Sequence, residues 1–202
     1  MAIRTANNQS LTEITAFPSG VSGGSLVLLE TQTASSDSTI TFDSNIDDTY
    51  DEYIFKYINI HAQTDQANFT VNFRDGSTSY DAVKTTTTFE AYHNEGDTSA
   101  ALGYHTGRDL AQSTAAQPIA NAVGNANDDN ANGTLHLFNP SSTTFIKHFI
   151  TRTSMNYHTG QPMVIDWYAA GYCNVTAAID GVQFAFSTGN IDAGTFKMYG
   201  VT

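Results

Sequence analysis

Residues 177–202 read AAIDGVQFAFSTGNIDAGTFKMYGVT, and this stretch sets the fold class. Val182, Phe184 and Phe186 alternate with Gln183 and Ala185. Successive side chains of a strand point to opposite faces, so a period of two is the pattern of a half-buried strand. Gly189-Asn190 and Asp192-Ala193-Gly194 supply residues that tolerate positive φ. A second run, 195–201, places Phe196 and Met198 on one side and Lys197 and Tyr199 on the other. The expectation is a closing hairpin that completes a sheet, with Phe184, Phe186, Phe196 and Met198 in the core.

The same signal recurs upstream. Residues 25–31 hold Leu26-Val27-Leu28-Leu29, and 38–42 alternates through Ile40 and Phe42. YIFKYINI at 53–60 is apolar on both faces apart from Lys56 and Asn59, as a central strand would be. Phe69, Val71 and Phe73 alternate within 68–74, and this run is expected to form a hairpin with 53–60. The Thr-rich run 85–93 favours a pleated surface. Residues 134–138, 143–151 and 163–172 continue the series, with Asn139-Pro140-Ser141-Ser142 as a turn signal and Trp167 as a core anchor. Roughly 8–10 strands at regular spacing, with almost no amphipathic helix, predict an all-β protein. The expected architecture is an antiparallel β-sandwich of jelly-roll type.

Two segments fall outside the pattern. Residues 1–24 form a polar N-terminal arm in which Ser10-Leu11-Thr12-Glu13 fits a capping box before Pro18 and a run of glycines. Ile3, Leu11, Ile14 and Phe17 are the residues through which such an arm would dock on a neighbouring subunit. Residues 94–132 are rich in Asn, Asp, Ala, Gly, Ser and Thr and are expected to form one long loop within a single domain spanning 25–202. Within it, 99–111 is compatible with a helical turn and 119–123 with a short strand.

The chain has 202 residues, eight Lys and Arg against twenty Asp and Glu, and a net charge of −12. Its basic residues are scattered singly, which argues against nucleic acid, whose backbone needs clustered cations. No apolar run approaches the ~18 residues of a membrane span, and none follows Arg4 as in a secretory signal, so neither membrane insertion nor secretion is expected. Cys173 is the only cysteine, which rules out an intramolecular disulfide; beside Tyr172 and Val175 it reads as an inert core thiol.

Chemistry is hard to place. His61, His93, His105, His136, His148 and His158 show no metal-ligand spacing, and His136 and His148 are expected to face solvent from strands. NANDDNANG at 125–133 carries oxygen ligands but lacks the glycine and glutamate of a calcium loop, so it reads as a solvated turn. Glutamate is scarce, and no nucleophile-elbow, phosphate-loop or dinucleotide motif occurs. The chain is therefore read as non-enzymatic, with no catalytic residue, cofactor or metal. Among the tyrosines in or beside loops, Tyr80, Tyr92, Tyr104 and Tyr157 are expected to pack at the sandwich rims.

SLTEITAFPSGVSGGSLVLLETQTAS (10–35), TYDEYIFKYINIH (49–61), LHLFNPSSTTFIKHFI (135–150) and GNIDAGTFKMYG (189–200) together resemble small β-rich structural proteins of tailed phages, especially those infecting marine bacteria. The resemblance spans nearly the whole chain and carries over no site residue. It implies a virion surface protein made in the host bacterial cytoplasm, decorating the capsid or forming part of a fibre. It also implies assembly with other copies, as a homotrimer, and with virion partners such as the major capsid protein. The alternative reading is a tail-fibre receptor-binding module in which Tyr104, His105 and Arg108 contact a host surface glycan.

Overall fold

In the strand Lys147–Asn156, every second residue is buried and every other one exposed, over the full ten residues. That regularity marks a sheet with one face on a core and one toward solvent. A computed structural model describes residues 25–158 and 160–202, and among these it is all-β. Its strands are β1 (Leu26–Asp37), β2 (Ile40–Phe42), β3 (Glu52–Ala62), β4 (Ala67–Arg74), β5 (Lys84–Asn94) and β6 (Ala100–Tyr104). The chain continues with β7 (Gln117–Val123), β8 (Ala131–Phe138), β9 (Lys147–Asn156), β10 (Met163–Cys173), β11 (Gly181–Phe186) and β12 (Ile191–Val201).

These strands form two antiparallel sheets. Sheet A runs β1-β12-β3-β8-β9-β10-β5-β6 and sheet B runs β2-β11-β4-β7. The chain alternates between them in nested pairs: β1 lies beside β12, and β2 beside β11, while β3 lies beside β8 and β4 beside β7. The hairpins β9–β10 and β5–β6 extend sheet A on its β8 side.

This winding corrects two sequence expectations. Residues 181–186 and 191–201 do not form a hairpin, because β11 belongs to sheet B and β12 to sheet A. Nor do β3 and β4 pair; they face each other across the core. The alternation that marks a strand says which side is buried and not which neighbour it bonds. The burial expectations themselves hold: Phe184, Phe186, Phe196, Met198 and Trp167 are all core residues. Phe184 brings the sheets together, with its ring 5.8 Å from Phe69 in its own sheet and 5.4 Å from Phe196 and 6.0 Å from Phe55 and Tyr57 in the other. Each such ring pair adds about 0.5–1.5 kcal/mol beyond its area burial.

Gly194 illustrates why β12 starts earlier than its glycines suggest. It lies inside the strand with φ of 142°, where the register with β3 shifts, and a Cβ there would come within 2.5 Å of Ile60 Cδ1. The residue serves a bulge, not a turn. The turn proper is confined to Ser187–Asn190.

Residues 94–132 are the largest departure. They hold β6 and β7 and the start of β8 in place of a single loop. The segment 99–111 contains the exposed strand β6 and a single hydrogen-bonded turn, Arg108 N to His105 O, whereas 119–123 lies in β7, as expected, and completes sheet B. The arm, with Ile3, Leu11, Ile14 and Phe17, lies outside the described residues.

Candidate functional site

Most of the exposed large apolar side chains share one surface. Leu26, Leu28, Ile58, Phe89, Ile150 and Val164 are all more than a third exposed. All six belong to strands of sheet A, as do the exposed Leu102 and Tyr104 of β6. Strand register aligns the outward side chains into transverse rows. One row runs Leu28, Tyr199, Ile54, His136, Ile150, Ala170, Thr87 across seven strands. It is apolar apart from the hydroxyls of Tyr199 and Thr87 and from His136, whose Nδ1 lies 2.6 Å from Glu52 Oε1.

The adjacent row runs Lys197, Lys56, Thr134, Arg152, Tyr168, Phe89. Phe89 and Tyr168 stack with centroids 4.6 Å apart and planes within 6°, and the Arg152 guanidinium covers Tyr168 at 5.2 Å. Arg152 donates to both carboxylate oxygens of Asp166, at 3.0 and 2.8 Å, and Tyr168 donates its hydroxyl to the same group. That guanidinium is the main reason the Asp166 carboxyl titrates below the usual range. Lys56 lies over the Tyr199 ring at 5.3 Å. Neither Lys56 nor Lys197 has a carboxylate partner among the described residues.

Between these ridges the small side chains of Thr87 and Ala170 leave a trough of about 400 Å³, bounded by Phe89, Tyr168, Ile150 and His136. It continues toward Tyr172 and His148 as a second hollow of about 330 Å³. The Tyr168 ring is covered by Phe89 on one face and by Arg152 on the other, while Phe89 stays 41% exposed. The trough is lined mainly by carbon.

A second cluster sits inside the sandwich. Cys173 is flanked in register by Lys84 on β5 and Lys147 on β9, all three fully buried. Lys147 Nζ donates to the carbonyls of Ser142, Val175 and Ala177, and Lys84 Nζ to that of Ala115 at 2.8 Å. These bonds tie the connecting loops to the end of the core. Burial pushes the Lys84 ammonium down to about 8 and the Cys173 thiol up to about 12. The thiol is therefore inert despite its cationic neighbours, because desolvation outweighs their attraction for a thiolate. No Lys or Arg lies beside Cys173 in the sequence; the two lysines are 89 and 26 positions away, and only sheet register brings them together.

The loop residues proposed for ligand contact fare unevenly. Tyr104 is exposed and donates to Asp109 Oδ2 at 2.6 Å. His105 is half-buried with its ring 5.2 Å from that of Trp167, and Arg108 donates to Asn121 Oδ1 at 2.8 Å. Both hold the 105–116 connection against β7 and β10, so the three do not form one outward-facing set. Tyr92 and Tyr157 pack against the core and Tyr80 lies over Arg74, as rim residues do. His136 and His148 lie on the outer face of sheet A. Among the described residues, no group of three His, Cys, Asp or Glu is arranged to hold a metal ion, and no helix is long and apolar enough to cross a membrane. The chain matches no protein-family model, and no curated protein is significantly similar to it.

Proposed function

We propose that this chain is a non-enzymatic, oligomeric structural protein of a phage virion surface, decorating the capsid or forming part of a head fibre. The observation that carries the reading is the nested strand order, β1-β12-β3-β8 over β2-β11-β4-β7, which we read as a jelly roll extended by two hairpins. That fold lends itself to symmetric assembly, since it presents broad sheet faces to neighbours. The apolar outer face of sheet A, the low content of basic residues and the resemblance of four sequence stretches to phage structural proteins agree with it.

Quantitative mass spectrometry of purified particles tests the assignment. Hundreds of copies per particle are expected for a capsid component, and about a dozen would assign the protein to a tail or fibre. Its absence from particles would dispose of the virion reading. Deleting residues 1–24 is expected to abolish incorporation while leaving the sandwich folded, as read by circular dichroism. The glycan-binding alternative predicts binding of purified protein to host cells and not to capsids; among its three residues, only Tyr104 is exposed.

A further inference from the structure

The outer face of sheet A combines three properties that together define its partner. It is apolar along one row, cationic along the next, and broad. Arg4 lies outside the described residues, and the chain's other seven Lys and Arg are described. Of these, Lys84 and Lys147 are buried, Arg74 pairs with Asp180 at 2.9 Å, and Arg108 bonds Asn121. The remaining three, Lys56, Arg152 and Lys197, all lie in one row of this face; Arg152 pairs with Asp166, which leaves Lys56 and Lys197 as the cations of the row without a carboxylate partner among the described residues. Asp166 and Glu52 on this face are engaged by Arg152 and His136, while Asp43, Asp47, Asp48 and Asp51 crowd in the turn before β3.

The geometry points to a second copy of this chain as the partner that covers this face, in a head-to-tail contact in which the cationic row meets an acidic surface of its neighbour. Charge complementarity selects that arrangement. A two-fold contact centred on Lys56 and Lys197 would set lysines against each other, whereas the acidic turn of the next copy neutralises them. The size also fits. Six strand spacings from β1 to β5 span roughly 29 Å, and three rows add roughly 20 Å with their side chains, or about 600 Å². This approaches the ~800 Å² per partner of a stable interface. A head-to-tail contact closes into a ring of three or more subunits when its rotation permits. The trough at Thr87 and Ala170 would then receive an apolar side chain of the neighbour. This inference deepens the assembly part of the proposed function and does not depend on the particle being a virion.

Analytical ultracentrifugation of the purified full chain provides the test. The expected result is a closed species of at least three times the 21.8 kDa chain mass. Ile150→Asp, at an exposed position of the trough, is expected to weaken assembly on the order of 30-fold or more, as for a central interface residue. Lys56→Glu is expected to weaken it too, more at low than at high salt. Gln183→Glu, on the other sheet, is expected to leave the mass unchanged. Circular dichroism melts check that each variant folds; should Ile150→Asp fail, Lys56→Glu decides. A monomer or a two-fold dimer, or an oligomer indifferent to Lys56→Glu, overturns the proposal. So does a monomer in which deleting residues 1–24 newly exposes Phe89, Tyr168 and Tyr172 to hydroxyl-radical footprinting, which would assign the face to that segment. Because mass is read on purified protein, failure here leaves the copy-number test of the virion reading intact.

Discussion

Strands β6 and β7 come from the same compositionally plain region, yet they end in opposite environments. β6, Ala-Ala-Leu-Gly-Tyr, is exposed at all five residues and forms an edge of sheet A. β7, Gln-Pro-Ile-Ala-Asn-Ala-Val, is buried at six of seven and closes sheet B. Neither has the strong alternation of β9 or β11. β7 is held by what surrounds it: Trp167 Nε1 donates to Pro118 O, Gln117 bonds Thr86, and Asn68 accepts from Ala122 N. β6 bonds only β5. The difference teaches that small, neutral side chains permit either fate, and that the opposing sheet chooses between them.

The largest expected effect of breaking this contrast is in β7. Ile119→Ala removes a fully buried side chain and should destabilise the fold by about 2–5 kcal/mol in urea denaturation. Gln117→Ala comes next. It deprives Thr86 Oγ1 of its acceptor and the carbonyls of Arg108 and Pro118 of a donor, at a cost of about 1–3 kcal/mol.

A pH dependence sharpens the comparison, because Lys84 grips the connection between the two strands: its backbone exchanges hydrogen bonds with Ser113 and its Nζ reaches Ala115 O. Its pKa is near 8 when folded and 10.5 in the ordinary state. Between those values the unfolded chain binds the extra proton, so stability rises with pH. Cys173 opposes this above its ordinary value of 9.0, since the folded thiol keeps its proton up to about 12. The net expectation is a gain of about 1 kcal/mol from pH 8 to 9 that flattens above 9. Urea denaturation across this range should show the rise persisting above pH 9 in Cys173→Ala and diminishing in Lys84→Met.

The smallest effect belongs to β6. Leu102→Ser, at a side chain 73% exposed, should change stability by less than about 0.5 kcal/mol. Hydrogen exchange should find the β7 amides protected and the outward β6 amides fast.

Much of the fold was legible locally. The alternation of Val182, Phe184 and Phe186, the apolar run at 53–60 and the turn at Asn139-Pro140 each predicted an element that the structure contains. Pairing was not legible, because β11 and β12 are adjacent in sequence but bond partners more than a hundred residues away. The candidate site was legible only in fragments. MVIDWYAAGY has apolar residues on both strand faces, a hint that the outer face of β10 is unusual. That Arg152, Tyr168 and Phe89 form one stack is a matter of register.

What the sequence by itself determined is the all-β class, the positions of most strands and the side chains that turn inward, because burial periodicity is a property of contiguous residues. What only the tertiary structure decided is which strands pair, that β7 is buried while β6 is exposed, and that Lys84 and Lys147 flank Cys173. Hydrogen-bond register between distant segments fixes these relations, and no single stretch of chain encodes its partner.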